Sequence, residues 1–238
     1  MATRHPRRPR ALLSWSSGKD AAFALHELRR GGEAEVVGLV TTLTERDGRV
    51  AMHGVSETLL DRQVAATDLP CRKIVLPWPC PNAVYEREMR AALIAARAKG
   101  IECVVFGDLF LTEIRAYREA LLAPTGLFAL YPLWGRPTAD LAHEMLAEGL
   151  EAVLACVDPA RLDPAFAGRC FDASLLAELP ITCDRCGENG EFHTFVTAGP
   201  MLTGRIDVQV DGIVERDGFV YADLAPAQGR SVRLDAPA

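Results

Sequence analysis

The sequence predicts an α/β fold: a parallel sheet with helices on both faces, followed by a smaller C-terminal α+β domain. Three observations point there. Short apolar runs alternate with helix-length segments over the first two-thirds of the chain, and strands alternating with helices of this length form parallel βαβ units. The apolar runs are continuous, as strands buried on both faces require. The last third shifts to short strands punctuated by Asp-Gly pairs, the residues of tight antiparallel hairpins.

Each element has its own signal. Ala11–Trp15 reads as the first strand. Lys19–Arg30 has helical spacing at Phe23, Leu25 and Leu28, with Gly31-Gly32 to end it. Val36–Thr42 reads as a buried strand. Ser56 caps a helix to about Thr67, with Glu57 in its first turn. Arg72–Leu76 is a strand, Asn82 caps a helix to about Lys99, and Glu102–Phe106 is a strand ending at Gly107-Asp108. A helix over Thr112–Leu122 and a short apolar segment near Leu127–Leu133 follow. Beyond Pro132–Pro137 come a helix at Thr138–Glu148, a strand at Glu151–Val157, a helix near Ala173–Glu178 and a glycine-bearing loop at Ile181–Glu191. Strands at Phe192–Thr197, Arg205–Val210, Ile213–Arg216 and Phe219–Asp223 complete the pattern, with Asp211-Gly212 and Asp217-Gly218 as hairpin turns. The expected organisation is a mobile tail at 1–10, a first domain at 11–134, a second at 135–226 and a tail at 227–238.

Bulk properties narrow the function. A length of 238 residues fits one large domain or two small ones. The net charge of −6 argues against a dedicated nucleic-acid binder, whose affinity comes from neutralising phosphates. No apolar stretch reaches the ~20 residues that span a bilayer, so no membrane role is expected. Seven cysteines cannot all pair within the chain, which points to a reduced, cytoplasmic compartment. Lys19, Lys73 and Lys99 are the only lysines. With the abundant alanine and arginine this suggests a GC-rich, bacterial genome, and it makes a lysine within a motif stand out.

The first motif is Trp15-Ser16-Ser17-Gly18-Lys19-Asp20, between the first strand and the first helix. A helix N-terminus offers unpaired N–H groups and partial positive charge. Small residues let a phosphate approach that backbone, two hydroxyls add donors, and Lys19 adds a mobile positive charge. Leu13 stands where a Walker loop needs its first glycine, and no GxGxxG is present. The segment resembles the PP-loop, the S-G-G-x-D-S/T signature of ATP pyrophosphatases, which cleave ATP between its α- and β-phosphates. Ser17 replaces the first glycine and Ala21 the final hydroxyl residue.

The second motif, Cys186 to Phe195, packs Glu188, Asn189, Gly190, Glu191, His193 and Thr194 into one short stretch. Alternation places Glu191, His193 and Phe195 on one face of a strand and Phe192 and Thr194 on the other. A polar face beside a flexible loop fits a substrate pocket. Gly-Glu-x-Gly-Glu-aromatic-x-Thr-Phe-Val followed by Gly199-Pro200 is similar to the signature of the diphthine–ammonia ligase (diphthamide synthase) family, which carries a PP-loop at its N-terminus. Gly107-Asp108 and Pro132-Leu133-Trp134 fit the same pattern, and the resemblance covers about residues 11–223.

The resemblance implies a Rossmann-like fold of the adenine nucleotide alpha-hydrolase type with a small C-terminal domain. It also implies ATP-dependent amide formation: a carboxylate is adenylated, pyrophosphate leaves, and ammonia displaces AMP. It assigns Ser16, Ser17, Gly18, Lys19 and Asp20 to the triphosphate, with Gly107 and Asp108 beside the nucleotide and Mg²⁺ as companion ion. Lys19, Asp20, Glu188 and Glu191 would be catalytic. Glu188, Asn189, Gly190, Glu191, His193 and Thr194 would bind the acceptor, a small-molecule or protein carboxylate, and the ammonia. Diphthamide itself is a modified histidine of archaeal and eukaryotic elongation factor 2, so a bacterial chain would need another acceptor. A homo-oligomer is compatible with the sequence, and no resident metal is expected.

Weaker signals stand beside these. Cys183 and Cys186 are half a zinc set, but a second close pair is missing, so two small loop residues are expected. His53 either faces the nucleotide or lies on the surface, and Arg118 is expected on a solvated helix face. Competing readings are an ATP-binding regulator without turnover, motivated by Ser17 and Ala21, and an RNA-modifying PP-loop enzyme using Cys183 or Cys186, which the acidic charge disfavours.

Overall fold

A computed structural model describes residues 7–227. The expected tails at 1–10 and 227–238 lie mostly outside the described residues. Among the described residues the chain forms β1 (Arg10–Ser14), α1 (Lys19–Gly31), β2 (Glu35–Thr44), α2 (Glu57–Thr67), β3 (Cys71–Leu76), α3 (Asn82–Ala98), β4 (Cys103–Val105), α4 (Thr112–Leu122) and β5 (Phe128–Leu130). These give a parallel five-stranded sheet in the order β3-β2-β1-β4-β5. Then come α5 (Thr138–Ala147), β6 (Glu151–Val157), α6 (Ala173–Glu178), β7 (Phe192–Ala198), β8 (Val208–Arg216) and β9 (Phe219–Pro226). The four last strands form an antiparallel sheet, β7-β6-β9-β8.

Both faces of the parallel sheet are covered, as its continuous apolar strands require. On β1, Leu13 joins the core with α1 and α2, while its neighbour Leu12 packs toward α3 and α4. The antiparallel sheet lies outside α1, and a single apolar core runs from Leu13 through Phe23 and Leu25 to Phe195, Val196 and Leu224. Helix α1 is therefore buried nearly all round: every residue from Ala21 to His26 is buried. Only a helix enclosed on several sides carries an Ala-Ala-Phe-Ala-Leu run, a burial that the spacing of Phe23, Leu25 and Leu28 alone understates.

Capping follows the expected chemistry in most places. Ser56 accepts the N–H of Leu59 at 3.5 Å, and Gly32 at φ 73° closes α1. Asn82 differs: Pro81 is the cap, and Asn82 is the first helical residue, bonded to Glu86 and Tyr117. Asp211-Gly212 differs too. The strand runs through it as a bulge within β8, and Arg205–Asp207 precede the strand. Asp217 and Gly218 do make the hairpin turn, at φ 51° and 83°, the sign a primed turn needs at both central residues.

Candidate active site

Strand order reverses at β1, between β2 and β4, and the crevice beyond the carboxyl ends of such strands is where open α/β sheets bind ligands. The first motif occupies that place. Residues 15–18 leave β1, and Gly18 caps α1 in an extended conformation. Ser17, at the position of a PP-loop glycine, has φ 73°, a region that a side chain disfavours and glycine does not. The turn thus keeps the glycine conformation without the glycine.

Half of this turn faces inward. The Ser17 carbonyl accepts from Gln63 Nε2 and from the Val196 N–H, both at 3.0 Å. The Ser17 hydroxyl is buried with no hydrogen-bond partner, so it is not the phosphate donor expected of it. Lys19 is only 2% exposed and is not a mobile charge. Its Nζ donates to Asp20 Oδ2 at 2.9 Å and to the Cys186 carbonyl, and it lies 5.3 and 5.7 Å from the ring centres of Phe192 and Phe171. Burial opposes the ammonium, but the Asp20 carboxylate more than restores it, and the Lys19 pKa is raised.

The second motif docks onto this turn. A cleft of about 170 Å³ is lined by Lys19, Asp20, His53, Asp108, Glu188, His193 and Thr194, among others. Thr194 Oγ1 accepts the Lys19 N–H at 3.0 Å. Glu188 Oε1 accepts the N–H groups of Leu109 at 2.7 Å and Phe110 at 3.4 Å. Burial, with Asp20 and Asp108 nearby, pushes the Glu188 carboxyl up to about 7 despite those donors. Gly107 does not line the cleft. A Cβ on it would stand 2.7–2.9 Å from backbone atoms of Asp20 and Ala21, so glycine is needed there for β4 to meet α1. Asp108 does line it and is clamped by Arg118, Nε to Oδ2 at 2.6 Å. Arg118 is not on a solvated face, since it also stacks over Phe106 at 4.5 Å.

His53, weakly signalled in sequence, belongs to the cleft. Its Nδ1 lies 3.0 Å from the Thr194 carbonyl, which can only accept, so Nδ1 carries the proton. Its ring rests on Gly18, where an added Cβ would be 2.6 Å from Cε1. It packs against His193 with ring centres 4.6 Å apart. Burial lowers the pKa of His53 to about 3, with His193 and Lys19 adding to the effect. Burial and Lys19 lower His193 to about 4.

Three predicted site residues frame the loop instead of lining the cleft. Glu191 is 3% exposed, its Oε1 accepting from the Asp184 N–H at 3.0 Å and from Asn189 Nδ2 at 3.1 Å. It precedes β7, so the shared polar face of Glu191 and His193 is not formed. Gly190, at φ 89°, completes the same tight loop. Cys183 and Cys186 are buried, and burial pushes the Cys183 thiol up to about 12 and Cys186 higher still, against ready thiolate chemistry. Among the described residues no group of three ligand-type side chains gathers to hold a metal.

A second cavity of about 250 Å³ adjoins the turn at Ser16, bounded by Trp15, Thr41, Thr42, Tyr85 and Arg118. Sequence reasoning missed it because aromatic and threonine side chains at strand ends read as packing. It also missed Gln63, a lone glutamine on a helix that carries no motif. No described helix is long and apolar enough to cross a membrane.

No curated protein sequence matches the chain. Residues 137–222 match the family described as the diphthamide synthase C-terminal domain. That segment holds α5 through most of β9, and with it Glu188, His193 and Thr194 of the cleft. The last third of the chain, set behind a parallel five-stranded sheet, is therefore similar to the C-terminal domain of diphthamide synthase.

Proposed function

We propose that the protein is an ATP-dependent amide ligase that adenylates a carboxylate, releases pyrophosphate and transfers ammonia to the acyl group. The observation that carries this reading is the meeting of both motifs in one cleft, with Thr194 on the Lys19 N–H and Glu188 beside Asp20. A carboxylate is a poor electrophile, and joining it to AMP supplies a leaving group; the protein adds positioning and charge stabilisation.

In this reading the adenosine occupies the cavity of about 250 Å³ at Ser16, Thr41, Thr42 and Tyr85. The triphosphate crosses the turn toward the first turn of α1, whose free N–H groups and dipole favour anions. Lys19 works from a fixed place: its buried positive charge makes the cleft favourable to anions and holds the Cys186 loop. Glu188, with a pKa of about 7, is matched to accept a proton from the attacking nitrogen near neutral pH. His53 and His193 stay neutral and exclude water from the same space. Asp20 Oδ1, buried and without a hydrogen-bond partner, fits a magnesium ion that arrives with the phosphates, since Mg²⁺ is usually held by one or two carboxylates and the substrate. Such an ion would offset charge on the departing pyrophosphate.

A second reading, a nucleotide-binding regulator without turnover, draws support from the sequestered Lys19 side chain. One experiment separates the two. The protein is incubated with ATP, ammonium and a panel of carboxylates. AMP and pyrophosphate formed only with an acceptor support the ligase; ADP and orthophosphate sink it; tight ATP binding with no product favours the regulator.

A further inference from the structure

We propose that Gln63 is a positioning residue that holds the 16–20 turn in its ligand-binding shape and fastens that turn to the second domain. Gln63 lies on α2 and is fully buried. Its Oε1 accepts Trp15 Nε1–H at 2.8 Å. Its Nε2 donates to the Ser17 carbonyl at 3.0 Å and to the Val196 carbonyl at 2.8 Å. One amide therefore links the end of β1, the strained residue of the turn and β7. Both of its donors and one acceptor are used, which is the condition for a buried amide to be tolerated.

The consequence follows from Ser17. A non-glycine residue at φ 73° persists only where its surroundings over-determine it. Two donors converge on its carbonyl, Gln63 Nε2 and the Val196 N–H. Turning that carbonyl inward leaves the following residues, Gly18 to Asp20, to start α1. Without the amide, the Val196 carbonyl and the Trp15 indole N–H lose their partners inside the core, and the Ser17 carbonyl keeps only one of its two donors. Gln63 touches neither cavity, so any effect on ligand must pass through the turn.

The inference rests on the reading of that turn as a triphosphate site, and its test separates the two. Gln63→Met keeps the side-chain length and removes every polar group. Gln63→Glu keeps the acceptor for Trp15 and replaces the donors with an oxygen facing two carbonyls. Met145→Ala, at a fully buried site on α5, is the control for general destabilisation. Binding of ATP and of adenosine is measured by calorimetry, and amide hydrogen exchange is followed across residues 16–20 well below the melting temperature. Both Gln63 variants are expected to weaken ATP at least about tenfold while adenosine changes less than about threefold, with faster exchange in the turn. Met145→Ala is expected to lower the melting temperature without this split. Equal losses for ATP and adenosine, the same split in Met145→Ala, or unchanged exchange would overturn the proposal. If the unmodified protein binds adenosine as tightly as ATP, the triphosphate reading fails, and the exchange result alone decides the role of Gln63.

Discussion

The Thr194 hydroxyl accepts the N–H of Lys19 at 3.0 Å, so the second domain rests on the first residue of α1. One of the orphan donors of that helix start is thereby satisfied by a residue from the other motif. Thr194→Val keeps the shape and leaves a buried N–H unpaired. It should cost about 1–3 kcal/mol in a denaturant melt, and a value near zero would show that the contact is incidental.

Glu188 sets one pH dependence. Its carboxyl is held up at about 7 in the fold against 4.5 when unfolded. The folded state therefore binds the extra proton between those values, and stability falls as pH rises through about 7. After allowance for partial solvent exposure the loss is about 2 kcal/mol between pH 5 and pH 8. Glu188→Gln should remove that slope in melts followed across this pH range.

The two histidines act in the opposite sense. His53 and His193 are lowered to about 3 and about 4, so the unfolded chain binds more protons below about 6.5. Their contribution is intact at neutral pH and is lost as the solution is acidified toward pH 4. Imidazole resonances of both should remain those of the neutral ring at pH 5, with His53 protonated on Nδ1. An ordinary titration near 6.5 would contradict the packed arrangement.

Ser17→Gly is expected to stabilise the protein by about 1 kcal/mol. It relieves a side chain at φ 73° and removes a hydroxyl with no partner. The gain is partly offset because glycine has more freedom to lose on folding. Thermal melts decide it.

Gly107→Ala should do the reverse. The new methyl would meet the Asp20–Ala21 backbone at under 3 Å and force β4 and α1 apart, at a cost of about 1–3 kcal/mol. Loss of ATP binding is expected to accompany the lower melting temperature.

The parallel sheet was legible because periodicity reports burial directly. Helix α4 begins and ends at the residues its spacing predicts, and strand ends move by one or two positions, where pairing partners rather than composition decide. Asp211-Gly212 misled because a bulge and a turn draw on the same residues. The two motifs were visible, but not which of their side chains point inward. Lys19, Ser17 and Glu191 are polar residues turned into the core by contacts with partners far along the chain. Arg118 reads as solvated in the sequence because its partner, Asp108, lies on the preceding loop, outside any helix-face pattern. Gln63 has no local signal at all, since its three partners are Trp15 just after β1, Ser17 in the turn and Val196 on β7.

The bond from Lys19 to Thr194 spans 175 residues, and this bears on synthesis. A nascent chain emerging from the ribosome can pair its parallel strands early, yet the turn after β1 has no Thr194 or Val196 to lean on until β7 has been made. Fragments ending before β7 should carry a loose turn, so truncated products are expected to be inert toward nucleotide instead of leaking partial activity.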